Sequence, residues 1–232
     1  ERKFRTVHID DLSGAGLATA LGLASAGVGR VVSHDQSLVE AKDLGPSAYP
    51  SQLLGKPKIQ AISALLASSP NQMSLVPGHK LTARNLEAID LAVIIGQQVI
   101  EPRRYVQWLN RDVPHLAINF DVDSASVSPL IVPGRGPCLY CLEQSRINED
   151  ASWPVVASQL VTNQNRLDDS ASRLFCAGLA IQKILAHLDD VGGFNPTENE
   201  LVGYRLALAS GAITELSWPE HEACSCHLAA SK

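Results

Sequence analysis

The chain of 232 residues contains no apolar run approaching the ~20 residues that cross a bilayer, which predicts a protein without a membrane-spanning helix. No cationic leader with an apolar core stands at its start, so secretion is not expected and the cytoplasm is. It opens on Glu1 rather than methionine, and a further N-terminal segment is therefore expected. No Lys/Arg cluster stands out and the formal net charge is −5. A polynucleotide partner would need several phosphates neutralised, so no nucleic-acid role is expected. Internal repeats and low-complexity segments are missing too.

What is present is globular. Hydrophobic residues make up 45% and charged residues 19% of the chain, enough to build a substantial core. Residues 6–10 alternate and are rich in strand formers. Residues 17–26 are a run of alanine and leucine with Gly27 just beyond, the pattern of a helix with a glycine stop. Residues 31–34 predict a second strand, and 59–67 carry apolar residues at helical spacing, ended by Pro70-Asn71. The run "AIDLAVII" (88–95) is apolar but for Asp90, as a strand buried on both faces should be. A helix with proline in its first turn is expected over 102–109, and a short buried strand over 116–120.

Alternation of strand and helix across the first ~120 residues predicts an α/β, Rossmann-like fold, with a mostly parallel sheet and helices on both faces. The texture then changes. "SVSPLIVPGRGPCLYCLEQ" is strand-like and then punctuated by proline and glycine. Helices follow over 152–162 and 171–188, "VGGFNP" breaks the second, and strands over 201–208 and 212–216 lead to the tail. The expected organisation is one domain over 1–232, with a nucleotide-binding-type βαβ core at 1–120 and a C-terminal elaboration at 121–232.

Five cysteines are present, four of them in two tight pairs. "CLYC" sets Cys138 and Cys141 at metal-knuckle spacing, and "CSC" sets Cys224 and Cys226 near the end. Four thiolates close a tetrahedral zinc site and leave no position open for chemistry, so the expected role is structural, stapling the tail. His221 and His227 are near enough in sequence to replace one sulfur. Cys176, inside an apolar helical stretch, reads as a small core residue.

Together, "GLASAGVGRVVSHD", "VEAKDL", "LGKPKIQAISALL", "PGRGPCLYCLEQ" and the late cysteine pair resemble the ThiF/MoeB superfamily, the ubiquitin-activating-enzyme-like adenylating fold. The ending "WPEHEACSC" resembles actinobacterial ThiF-like proteins. The resemblance implies a homodimer. It also implies ATP/Mg-dependent adenylation of the C-terminal carboxylate of a ubiquitin-like or sulfur-carrier protein. Relatives in peptide natural-product pathways bind a leader peptide, some without adenylation chemistry.

Carried over by residue, the family's glycine loop falls on Asp11, Leu12, Ser13, Gly14, Ala15 and Gly16, so its first two glycines are Asp11 and Ser13. Glycines there let backbone amides approach phosphate, whereas a carboxylate repels it. The family arginine falls on Pro46, the preceding asparagine on Asp43, and the magnesium-associated aspartate on Gln97, a poor ligand for a hard dication. Gly14 and Gly16 remain. Asp35 matches the acid that holds ribose hydroxyls, or else caps a turn. Lys58, with Lys56 nearby, matches the phosphate-contacting lysine, or else is a solvated charge before a helix.

Adenylyl transfer depends on positioning and charge neutralisation, so four such replacements predict a vestigial ATP site. The expected function is a non-catalytic, zinc-stabilised scaffold for a peptide or small carrier protein. An active adenylyltransferase using Lys58, Lys56 and Asp35, with Asp43 or Asp11 recruiting magnesium, is the alternative. A nicotinamide- or flavin-dependent oxidoreductase rests only on the generic βαβ unit.

Overall fold

The structure, a computed structural model, describes residues 1–67, 73–80, 88–162, 166–189 and 202–226. The expected stops at Pro70-Asn71 and "VGGFNP", the start of the expected strand at residue 201, and His227 lie outside the described residues. The strands form an eight-stranded mixed sheet in the order β3-β2-β1-β4-β5-β6-β7-β8. The chain divides into two compact units, Glu1–Ile95 with Asp168–Phe194, and Gly96–Leu167 with Asn195–Lys232.

In the first unit, β1 (Thr6–Ile9) runs parallel to β2 (Arg30–Ser33) on one side and β4 (Leu91–Gln97) on the other. β3 (Ser74–Pro77) extends the sheet beyond β2, also in parallel. Every residue of β1 is buried, as are the first six of β4, which is why β4 reads as an unbroken apolar run. Helix α1 (Gly14–Ser25) packs on α6 (Ser170–Asp189). Gly22 permits that approach, since a Cβ there would stand 2.3 Å from Ile181 Cδ1.

The end of α1 is built as the glycine stop requires. Gly27 has φ +85°, its N–H donates to Ala24 O, and the Val28 N–H donates to Leu23 O, each at 3.0 Å. Helix α2 (Lys58–Leu66) follows Pro57. Arg2 ties the N-terminal turn to the last residue of α6 through two bonds to the Asp189 carboxylate, at 2.8 and 2.5 Å.

In the second unit, α3 (Pro102–Leu109) has proline in its first turn and buries Tyr105 and Trp108, three residues apart on one face. β5 (His115–Phe120), β6 (Ser124–Val127), β7 (Gly203–Ala207) and β8 (Ile213–Leu216) then pair antiparallel in chain order. Helices α4 (Leu139–Glu149) and α5 (Trp153–Thr162) lie between β6 and α6 in sequence. α4 differs from the sequence expectation, which gave its segment only as punctuated. Gly134 (φ 76°) and Gly136 (φ 71°) turn the chain immediately before it, and the helix starts at the first cysteine of the knuckle. β3 was not foreseen as a strand, and of β6 only the end lies in the stretch from Ser126 that reads as strand-like.

Candidate functional site

Two groups of residues singled out by sequence come together, one in each unit. In the second, Cys138 sits at the N-cap of α4 and Cys141 one turn into it, so both thiols project from the helix start. Cys224 and Cys226 come from the tail. The four Sγ atoms lie within 4.8 Å of one another, 85 to 86 residues apart in the cross-pairings, and all four cysteines are free. Cys138 Sγ is 3.9 Å from Cys141 Sγ and 3.6 Å from Cys224 Sγ, and Cys141 Sγ is 3.5 Å from Cys226 Sγ.

Those separations fit a metal. A tetrahedron with Zn–S bonds of about 2.3 Å has edges of about 3.8 Å. They are far too long for disulfides, at about 2.05 Å. The Trp218 indole N–H donates to Cys138 O at 2.8 Å, fastening the tail beside the knuckle. Burial pushes the Cys138 thiol up to about 12, with Cys141 and Cys224 beside it adding to the cost of charge. At Cys141 burial acts in the same direction but is outweighed by hydrogen bonds to the thiolate from the Cys138 and His221 backbone and from the Cys226 and Cys224 thiols, and that thiol goes down. A cluster of this kind holds its charge when a cation sits among the sulfurs, and a metal ion such as zinc can be bound there. His221 is not among these ligand atoms; its ring meets the Asn148 side chain at 2.8 Å and the Ala223 N–H at 3.1 Å.

In the first unit, the loop between β1 and α1 is closed by the chain's own groups. The Ser13 N–H donates to Asp11 Oδ1 at 2.6 Å, and the Leu12 N–H donates to Asp35 Oδ2 at 2.9 Å. The other Asp35 oxygen accepts from the Ser37 N–H at 2.8 Å and its hydroxyl at 2.5 Å. Tyr49, fully buried, donates its phenol to Leu12 O at 2.7 Å. Gly14 supplies φ 46° to enter the helix. Gly16 is required by space, because a Cβ would lie 1.7 Å from Asp11 O. The two surviving glycines are thus explained by the turn itself.

Lys58 is 5% exposed, not the solvated charge that was one reading of it. Its ammonium donates to Ser13 Oγ and lies 3.4 Å from Asp43 Oδ2. Asp43 is also buried, and its Oδ2 accepts the Glu40 N–H at 3.0 Å. Lys56 and Pro46 are exposed. Gln97, in the second unit, accepts the Leu167 N–H on Oε1 at 2.9 Å. Cys176 is buried in α6, and burial pushes its thiol up to about 12, as for a core residue. Sequence reasoning missed the grip of Tyr49 and Asp35 on Leu12, which spans 37 and 23 residues and has no local signal.

The architecture is the ThiF/MoeB-like fold, with a four-cysteine cluster in its second unit. No family model matches the chain, and no curated protein matches it. Solved structures do. E. coli MccB with AMPCPP and MccA is similar at a TM-score of 0.75 and 17% identity, covering 97% of this chain and 67% of that one. MccB with ATP is similar at 0.73 and 18%, with the same coverage. PaaA is similar at 0.68 and 18%, over 93% of this chain and 73% of that one. Among the described residues, no helix is long and apolar enough to cross a membrane.

Proposed function

We propose that this chain is a non-catalytic ThiF/MoeB-like domain that binds a peptide or a small carrier protein, stabilised by zinc on Cys138, Cys141, Cys224 and Cys226. The observation that carries the reading is the closed loop. Leu12 and Ser13 N–H, at the position where the fold offers amides to phosphate, are held by the Asp35 and Asp11 carboxylates. A nucleotide would have to displace both acids, and the acids themselves repel its phosphates. The peptide half of the reading draws on the solved neighbour MccB, which has been seen in complex with N-formylated MccA. The zinc half draws on the sulfur spacing.

Residues 1–232 act as one functional domain in this reading, as a homodimer and in the cytoplasm, where thiols stay reduced. Titration calorimetry with ATP and magnesium, paired with a pyrophosphate-exchange assay, tests it. The expected result is no binding in the micromolar range and no exchange; micromolar binding with exchange overturns it.

One observation favours the second reading, an ATP-dependent adenylyltransferase: the Lys58 ammonium still stands beside the loop, on Ser13. That reading requires exchange activity that Lys58→Ala abolishes. Activity unaffected by the substitution removes Lys58 from it.

A further inference from the structure

The four thiols of the knuckle differ in their access to water. Cys138, Cys141 and Cys224 are buried, whereas Cys226, next to the exposed Ser225, is half-buried. An oxidant arriving from solvent therefore meets Cys226 first, since oxidation follows exposure together with thiolate character. Cys226 Sγ is 3.5 Å from Cys141 Sγ, and the two thiols then left over, Cys138 and Cys224, are 3.6 Å apart. Each pair has to close by about 1.5 Å to reach disulfide length.

The competing arrangement joins each cysteine to its neighbour in sequence. Cys138 and Cys141 Sγ are 3.9 Å apart, so their spacing does not forbid that bond. Its counterpart, Cys224 with Cys226, would close a ring across the single residue Ser225, which strains the disulfide and makes it easily reduced. The tail is also held by groups other than sulfur. The Trp218 indole donates to Cys138 O at 2.8 Å, and the His221 ring meets the Asn148 side chain at 2.8 Å. These contacts keep the tail thiols against α4 as a metal leaves, so the cross-pairs stay within reach.

We propose that the knuckle is a peroxide-responsive site whose oxidation exchanges zinc for two covalent staples, one between Cys141 and Cys226 and one between Cys138 and Cys224. The Cys226 thiolate attacks one oxygen of hydrogen peroxide; the O–O bond breaks, hydroxide leaves and a sulfenic acid forms. The Cys141 sulfur then forms the S–S bond by displacing the sulfenic hydroxyl, which takes up a proton and leaves as water. Two electrons pass from the pair to the peroxide. A second peroxide oxidises Cys138 and Cys224 in the same way. Disulfide sulfurs carry no charge for a cation, so the metal is released. The staples join residues 86 and 85 apart in the chain, and the tail stays fastened in both states. The inference rests on the zinc reading for the metal it releases, and not for the pairing of the sulfurs.

The test takes the chain purified without chelator, counts its zinc, and treats it with two equivalents of hydrogen peroxide and then with trypsin in the absence of reductant. Trypsin cuts after Arg135, Arg146 and Arg205, and no Lys or Arg interrupts 136–145 or 206–231. Cross-pairs therefore yield one linked species from peptides 136–146 and 206–232, and neighbour pairs yield two separate peptides. By mass spectrometry the linked species should exceed the separate disulfide peptides at least tenfold, with zinc released in step to a colorimetric dye. Cys138→Ser with Cys224→Ser should still link, through Cys141 and Cys226. Cys138→Ser with Cys226→Ser, which removes the half-buried thiol, should link at least tenfold more slowly. Separate peptides, or thiols still reduced after peroxide, overturn the inference, and the zinc counted beforehand still stands for the metal. A linked species from a chain that held no zinc overturns the metal reading and supports the pairing. The pairing is read on the unsubstituted chain, so it is decided even where a variant fails to fold.

Discussion

The loop before α1 and the knuckle before α4 each gather polar groups at the start of a helix, where backbone N–H groups attract negative charge. They resolve that charge in opposite ways. At α1 the chain supplies its own anions: Asp11 and Asp35 accept the loop amides, and Lys58 with Asp43 closes the site from below. At α4 the chain supplies only sulfurs, four converging thiols with no cationic side chain bonded to them among the described residues. A site whose groups are mutually satisfied is a structural element. One whose like groups crowd together is completed by something from outside.

The sharpest way to break the contrast is to remove the sulfurs. Cys138→Ser combined with Cys224→Ser should reduce bound zinc from about one equivalent per chain to none, by elemental analysis. It should lower the thermal midpoint by roughly 10 °C, since several kcal/mol of metal-linked stability disappear and each is worth about 2–4 °C at this size. Zinc retained in the double variant sinks the four-thiolate assignment.

Lys58→Ala probes the other side. It leaves the Asp43 carboxylate, buried with the ammonium removed, and should cost about 3 kcal/mol in urea unfolding. A loss below about 0.5 kcal/mol would mean the pair is not the structural closure described here.

Acid should act on both units more gently. Burial, with His34 adding to it, lowers the His8 imidazole to about 3, and burial lowers His115 to about 4. The unfolded chain therefore binds protons that the folded chain refuses between pH 6.5 and those values. The stability is fully present above about pH 6.5 and declines as pH falls, by about 2 kcal/mol per histidine between pH 7 and 5. Urea midpoints across that range would show it, and a flat profile refutes it. The smallest effect expected is that of ATP with magnesium on the midpoint, under 1 °C; a rise of several degrees would erase the distinction between the two sites.

How much of this could be read from residues alone follows from the range of the interactions. The cysteine pairs were legible because ligand spacing is local, and their convergence required only that the tail return. The α1 loop was legible as a turn, through Gly14 and Gly16. What could not be read was where the carboxylate of Asp35 and the ammonium of Lys58 would go. Each finds its partner 23 and 45 residues away, and only the packed sheet decides whether such a group faces a ligand or the chain itself.

The bond from the Trp218 indole to the carbonyl of Cys138 makes the molecule its own optical gauge. That indole is 8% exposed, and its hydrogen bond ends on a residue of the sulfur cluster. Loosening the knuckle with a chelator would let water reach the ring and move its emission to longer wavelength, so the state of the tail can be followed in a cuvette, without a label.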